Sequence, residues 1–300
     1  MTNARLSSEL GVTPDWIEQR CGVLSRQVAA EGETTSSLAV EAARQALSAT
    51  EARPDLLICC TYTPDNLCIP QAPAIASELG LTAGAFDLNA ACSGGLIGLL
   101  TAIGYLTTGL ARRILLVASD TTTRFLAADD INTRILFGDG AAALLLEAVP
   151  REEQGNGHRL LASLTGSDGS GAGFFQAPLF QGGDPVIKMD GKSLFKFAVN
   201  RGAAAMAELL ESARLAANEI HHVVLHQANI RILKAIQESS GIPFDRWALN
   251  LPSLGNTAGP SVLIALLDLL NNGSLEPGQT VLLLAFGAGL TWAGAVLQWQ

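Results

Sequence analysis

The stretch "NAACSGGLIGLLTAIGYLTTGLARR" (89–113) decides how the rest of this 300-residue chain is read. From Cys92 onward the apolar residues recur at helical spacing, and Gly94, Gly95 and Gly98 leave room for a neighbour to pack closely. A helix that is apolar nearly all round belongs inside, so Cys92 stands at the start of a core helix. Two roles for the thiol are open. Free N–H groups and the helix dipole at a first turn stabilise a thiolate, which attacks carbonyl carbon. Alternatively, the thiol is a small buried filler, the role of most free cysteines.

Outward from this stretch, strand-like runs alternate with helical ones. "DLLICCTY" (55–62), "RRILLVASD" (112–120) and "AAALLLEA" (141–148) read as strands, and "TSSLAVEAARQALSAT" (35–50) as a helix. The second half repeats the scheme with "HHVVLHQ", "NIRILKAIQESSG", "SVLIALLDLLNNG" and "TVLLLAFGAGLTWAGAVLQWQ". The alternation predicts an α/β architecture of two similar halves, 1–155 and 156–300, joined through the polar segment 146–163. The Gly-rich segment 167–185 reads as an excursion from the core. Its Phe174, Phe175 and Phe180 either line a tunnel or subunit contact or cap the core.

Composition excludes several classes. At 48% hydrophobic and 16% charged the chain is globular, and a formal charge of −9 argues against nucleic-acid binding, which needs clustered Lys and Arg. No run of about 18 uninterrupted apolar residues is present, and "MTNARLSSELG" has no signal-peptide pattern, so no membrane partner is expected and the reading is cytoplasmic. The five cysteines show no spacing typical of a metal site or disulfide framework. Cys59 and Cys60 read as buried fillers, Cys21 and Cys68 as inert.

Three further motifs carry candidate chemistry. His226 follows a buried-looking strand and precedes a helix, where α/β proteins assemble their sites; it is either a structural histidine or one that donates to an oxyanion or moves a proton. Asn256 lies in a small-residue turn opening a long apolar helix, as a cap or as a donor. "FGAGLTW" (286–292) is a Gly-rich turn between strands, able to aim a backbone N–H.

Taken in order, "NAACSGG", "FGDGAA" (137–142), "LHQANIRI" (225–232), "LGNTAGPS" (254–261) and "LLAFGAGLTW" (283–292) resemble the β-ketoacyl-(acyl-carrier-protein) synthase III family of the thiolase superfamily, over nearly the whole chain. The resemblance implies a thiolase-like fold of five layers, αβαβα, a homodimer, and a catalytic set of Cys92, His226 and Asn256. Cys92 would take an acyl group from a thioester primer, with the backbone N–H groups of Cys92 and Ala288 as the oxyanion hole. Malonyl-acyl-carrier protein would then lose CO2 against His226 and Asn256, and the carbanion would attack acyl-Cys92, initiating fatty acid or related chains. No cofactor would be bound permanently; coenzyme A and phosphopantetheine enter as substrate thioesters. In "TPDWIEQRCGV" (13–23), Trp16 and Arg20 match positions that contact the nucleotide of coenzyme A. Lys196 and Arg231 match positions that attract the acidic acyl carrier protein.

Departures from the family pattern set further expectations. The family's first strand has no counterpart in "MTNARLSSELGV". Ile131 stands where many relatives carry an adenine-flanking Arg, though Arg124 and Arg134 are near in sequence. Ile69 of "NLCIPQAP" replaces an aromatic residue, which predicts a widened acyl pocket, and Ala288 replaces a common Gly. The runner-up is a same-fold acyltransferase or specialised condensing enzyme of secondary metabolism using Cys92. A papain-like protease is disfavoured by the flanks of Cys92, an α/β-hydrolase by the missing G-x-S-x-G, and a non-catalytic partner subunit by the presence of the cysteine.

Overall fold

The apolar runs become the strands of two sheets in the computed structural model, which describes residues 1–48, 50–149, 157–179 and 185–300. β1 (Leu56–Cys60), β2 (Gly84–Leu88), β3 (Arg113–Asp120) and β4 (Gly140–Glu147) form a four-stranded sheet in the order β2-β1-β3-β4. β5 (Arg159–Ser167) follows, then a two-stranded ribbon of β6 (Phe175–Gln176) and β7 (Lys188–Met189). The second four-stranded sheet adds β8 (His222–Leu225), β9 (Thr280–Gly287) and β10 (Thr291–Gln298) in the order β5-β10-β9-β8.

The repeat seen in the sequence is a repeat of topology. β1 runs parallel to β3, which pairs antiparallel with β4; β8 runs parallel to β9, which pairs antiparallel with β10. The correspondence stops at both edges: β2 pairs parallel with β1, whereas β8 is the outer strand of its sheet. β5 pairs antiparallel with β10, whereas β4 is the outer strand of its own sheet. The opening residues form α1 (Asn3–Leu10) and α2 (Pro14–Cys21) instead of a strand. Of the polar segment between β4 and β5, residues 150–156, like Phe180, lie outside the described residues.

Strand residues alternate between two apolar environments, so both faces of each sheet are covered. Leu57, Cys59, Leu115 and Val117 pack on α3 (Thr35–Ser48) and α4 (Gln71–Glu78). Ile58, Cys60 and Leu116 point the other way, onto α5 (Gly94–Thr108). After the short α6 (Ile131–Arg134), the outer face of the second sheet, including Leu282 and Leu284, is covered by α7 (Gly191–Ala213) and α8 (Ile230–Ser240). Beyond the one-turn α9 (Leu251–Leu254), α10 (Ser261–Asn271) joins α5 in the middle layer, where Leu283 and Ala285 of the second sheet meet them. The order is therefore helix, sheet, helix, sheet, helix: the five-layered αβαβα arrangement of the thiolase-like fold.

The glycines of the opening stretch set how closely the middle layer packs. A Cβ on Gly98 would fall 2.3 Å from Cys60 Sγ, and one on Gly95 would fall 2.5 Å from the Gly259 carbonyl oxygen. The 91–108 segment is long and apolar enough to span a bilayer by composition, but it is the core helix between the sheets.

Candidate active site

The turn that carries Cys92 is built where the two halves touch. Residues 91–93 form a 3-10 turn leading into α5, entered by Ala91 at φ 48°, a left-handed conformation costly for a residue with a Cβ. The end of β9 abuts this turn: a Cβ on Gly287 would lie 2.9 Å from the N atoms of both Cys92 and Ser93, so only glycine fits. Ser93 Oγ donates to the Ala90 carbonyl and lies 2.8 Å from Thr291 Oγ1 at the start of β10. Cys92, buried at 8% exposure, is thereby presented beside Gly287 and Ala288. Neither the Cys92 nor the Ala288 N–H has an acceptor among the described residues, leaving two donors for an oxyanion.

His226 lies immediately beyond β8, and its N–H donates to Leu284 O, prolonging the ladder with β9. Its Nδ1 is 2.5 Å from Ser261 Oγ, at the first residue of α10. With the Ser261 hydroxyl donated to Nδ1, the ring proton sits on Nε2, the nitrogen free to face the cavity. Burial lowers the imidazole pKa to about 4, so His226 is neutral at physiological pH.

Asn256 is placed by pairing between the halves. Its N–H donates to Leu136 O and its carbonyl accepts from Gly138 N, stitching "LGNTAG" to "LFGDG". Gly255 makes the turn at φ 73°, where a Cβ would meet Leu136 O at 2.9 Å. Ala258 N–H donates to Asn256 Oδ1 at 2.9 Å, which commits the amide oxygen to the backbone and leaves Nδ2 as the donor toward the cavity. The buried Gln227 holds the segment leading there, its amide donating to Leu225 O and Ala248 O and its Oε1 accepting from Asn250 N and Leu251 N.

Cys92, His226, Asn256 and Ala288 all line one cavity of about 130 Å³, together with Phe137, Phe175, Phe195, Asn229 and Phe286. The sequence motifs thus converge. Of the two roles left open for Phe174, Phe175 and Phe180, lining a cavity is the one Phe175 fills.

One expectation is corrected. The helix start does not leave Cys92 as a ready thiolate: burial, followed by the nearby Asp120, pushes the thiol up to about 12. Ile69, 62% exposed on the loop before α4 near Leu67 at 72%, is not among the residues of this chain that line the cavity. Cys21, Cys59 and Cys60 are buried and Cys68 is exposed; all are free thiols. No cluster of three metal-ligating side chains occurs among the described residues.

At the cavity mouth, α2 and α8 meet. Arg20 stacks over the exposed Trp16 at 5.3 Å, and Asn229 Nδ2 donates to Arg20 O. Arg231 stacks over Phe195, a lining residue, while Lys196 next to it is exposed.

Two site residues escaped the sequence reading. Ser261 is visible there only as part of a helix start. Asp120 is a buried carboxylate that accepts from Thr61 Oγ1, Tyr62 N, Thr63 Oγ1 and Gly259 N, tying the strand end before the first loop to the turn that follows Asn256. Burial raises its pKa to about 6 despite these bonds. The two buried groups oppose each other in pH dependence. His226, lowered from 6.5 to about 4, loses up to roughly 3 kcal/mol of stability as pH falls through that window. Asp120, raised from 3.8 to about 6, gains a similar amount over nearly the same range. Denaturant unfolding of Asp120→Asn between pH 7 and 4.5 is expected to show a steeper acid loss than the wild type, by about 2 kcal/mol; parallel curves would contradict the assignment.

This fold and this site define a condensing enzyme of the thiolase-like class. The 3-oxoacyl-(acyl-carrier-protein) synthase III model matches residues 86–169, and the model of its C-terminal part matches residues 210–299. The β-ketoacyl-(acyl-carrier-protein) synthase III 3 of Streptomyces coelicolor is 38% identical, the match covering 100% of this chain and 93% of that protein. The crystal structure of the 3-oxoacyl-(acyl carrier protein) synthase III of Pseudomonas aeruginosa superposes with a TM-score of 0.93 at 38% identity, covering 100% of this chain and 93% of that one. The β-ketoacyl-(acyl carrier protein) synthase III of Thermus thermophilus gives 0.91 at 37%, covering 100% and 95%. The chain belongs to the 3-oxoacyl-(acyl-carrier-protein) synthase III family. It is an acyltransferase of the condensing type in fatty acid biosynthesis, and this end-to-end agreement does not favour the simple-transfer alternative.

Proposed function

We propose that Cys92, His226 and Asn256 carry out a two-stage condensation in which an acyl thioester first loads the sulfur and malonyl-acyl-carrier protein then extends it. The observation that carries this reading is the convergence of the three side chains on one cavity, with two free backbone N–H groups beside the sulfur.

In the first stage Cys92 Sγ attacks the thioester carbonyl, and the oxyanion is held by the N–H groups of Cys92 and Ala288. The tetrahedral intermediate expels the primer's thiol, which leaves with the proton that Cys92 gave up. With burial and Asp120 holding the free thiol up to about 12, the sulfur must give up its proton as it attacks.

In the second stage the malonyl thioester oxygen accepts hydrogen bonds from His226 Nε2 and Asn256 Nδ2. Its terminal C–C bond breaks, CO2 departs, and the electron pair becomes an enolate whose oxygen faces those two donors. Both donors are neutral, so they favour charge that develops during bond breaking over charge already present. The carbanion attacks the acyl carbonyl on Cys92, and collapse releases β-ketoacyl-carrier protein and the thiolate, which regains a proton from water. No resident cofactor is needed; coenzyme A and phosphopantetheine enter as parts of substrates.

A single-turnover experiment separates this from simple transfer. Enzyme preloaded with an acyl group and freed of excess thioester is given malonyl-carrier protein. Formation of β-ketoacyl product with one CO2 per turnover is expected, whereas acyl transfer with the malonyl group intact would contradict the reading.

Recognition follows the mouth. Trp16 stacks on the adenine of a coenzyme A primer and Arg20 engages its phosphates, while Lys196 and Arg231 attract the acidic carrier protein, giving this chain of charge −9 a local basic patch. Reversing both charges, Lys196→Glu with Arg231→Glu, is expected to raise the KM for malonyl-carrier protein about tenfold or more at low salt, with kcat nearly unchanged. The effect should shrink as salt rises. An unchanged KM would move the carrier site elsewhere.

The functional unit is a homodimer in a cytoplasmic setting. The outer position of β2, with Leu67 and Ile69 exposed just before the helix that packs on it, supports pairing of two copies through this edge. Five free cysteines fit a reducing compartment.

A further inference from the structure

Gly191 and Asn229 bring the cavity lining to the surface, near Arg20 and Arg231. Beyond Cys92 the lining turns aromatic: Phe137, 3% exposed, and Phe175 stand 5.9 Å apart at a 56° tilt. Behind Phe175 is Tyr62, edge-on at 6.3 Å and 79°. Tyr62 is itself fixed at two points. Its hydroxyl lies 2.7 Å from Oγ1 of the fully buried Thr122, and its N–H donates to Asp120. A thioester arm entering from the mouth fills the Asn229 end, so an acyl group on Cys92 must extend toward the three aromatic rings.

We infer that Tyr62 is a specificity-determining residue: by buttressing Phe175 against Phe137 it sets the depth of the acyl chamber and limits the primer to short acyl groups. The inference rests on the assignment of Cys92 as the acylated residue. A cavity of about 130 Å³ is comparable to an engineered pocket of roughly 150 Å³ that holds one benzene ring. This volume includes the space around the sulfur and at the mouth, so little remains for a long chain. Edge-to-face packing holds each ring at a defined angle, and the Thr122 hydrogen bond keeps Tyr62 from rotating away. Removing the Tyr62 ring leaves Phe175 free to swing into the vacated space, lengthening the chamber without touching the sulfur, His226 or Asn256.

The test is acylation of the full-length enzyme by acetyl-, butyryl-, hexanoyl- and octanoyl-coenzyme A, with site occupancy read by mass spectrometry and kcat/KM measured for condensation. The wild type should load acetyl and butyryl well and octanoyl poorly. Tyr62→Ala should raise the octanoyl-to-acetyl ratio of kcat/KM at least tenfold, since each methylene accepted or refused by a pocket is worth roughly ten- to 200-fold. Tyr62→Phe keeps the ring and should stay near the wild-type ratio. Phe175→Leu should shift the ratio in the same direction as Tyr62→Ala, and serves if the latter does not fold. Equal loading of octanoyl and acetyl by the wild type, or a ratio within twofold of wild type in both Tyr62→Ala and Phe175→Leu, overturns the inference while leaving Cys92 as the acyl acceptor. Absence of any acyl group on wild-type Cys92 overturns the assignment on which it rests.

Discussion

Replacing Cys92 by alanine is expected to abolish condensation while leaving malonyl-carrier protein able to bind and to lose CO2 slowly. Removing the covalent nucleophile of another enzyme costs on the order of 10^6 in kcat, and here it removes the only atom that holds the primer between the two stages. The decarboxylating donors are on other elements: His226 follows β8 and is oriented by Ser261, and Asn256 is held by Leu136, Gly138 and Ala258. None of these contacts passes through the Cys92 side chain. The variant should therefore release CO2 without forming β-ketoacyl product, which quantification of CO2 against product measures directly. Residual condensation within about tenfold of wild type would assign the acyl group to another acceptor.

Substituting His226 or Asn256 by alanine is expected to produce the opposite split. Loss of one preorganised donor costs about 3 kcal/mol, a hundredfold to a thousandfold in the decarboxylation step. Primer loading, which uses the Cys92 and Ala288 N–H groups, should change only severalfold. The double variant should lose less than the product of the two single losses, because both donors serve one oxygen. The pH profile adds a check. With the imidazole titrating near 4, its neutral form persists across the working range, so decarboxylation should show no inflection near 6.5 attributable to His226. Loading slowed as much as decarboxylation would place these residues in the first stage instead.

The strands and core helices were readable because burial on both faces writes continuous apolar runs, as in "LLICC" and "ILLVAS". Which face met which layer was not readable, since runs buried on both sides carry no alternation. The proposed catalytic residues stand out through motif context, not through local chemistry: Cys92 alone passes for a filler and Asn256 alone for a helix cap. What the sequence could not show is what long-range contacts decide. Asp120 lies 28 residues from Cys92 in the numbering, yet its carboxylate helps keep that thiol protonated. The helix-start argument for a thiolate considered only the local dipole, and burial outweighs it. Likewise the motif around Ile69 carries no sign that its side chain is exposed on the folded loop. The tight fit of Gly287 against the Cys92 turn brings chain positions nearly two hundred residues apart into contact, beyond any local pattern.

Peptide-resolved mass spectrometry of wild-type enzyme after brief incubation with acetyl-coenzyme A, without malonyl substrate, tests the central claim most directly. One acetyl group per chain on the peptide bearing Cys92, labile to a competing thiol and discharged by malonyl-carrier protein, is the predicted result. An enzyme that turns over while that sulfur stays unmodified, or that carries the acyl group on another side chain, would contradict it.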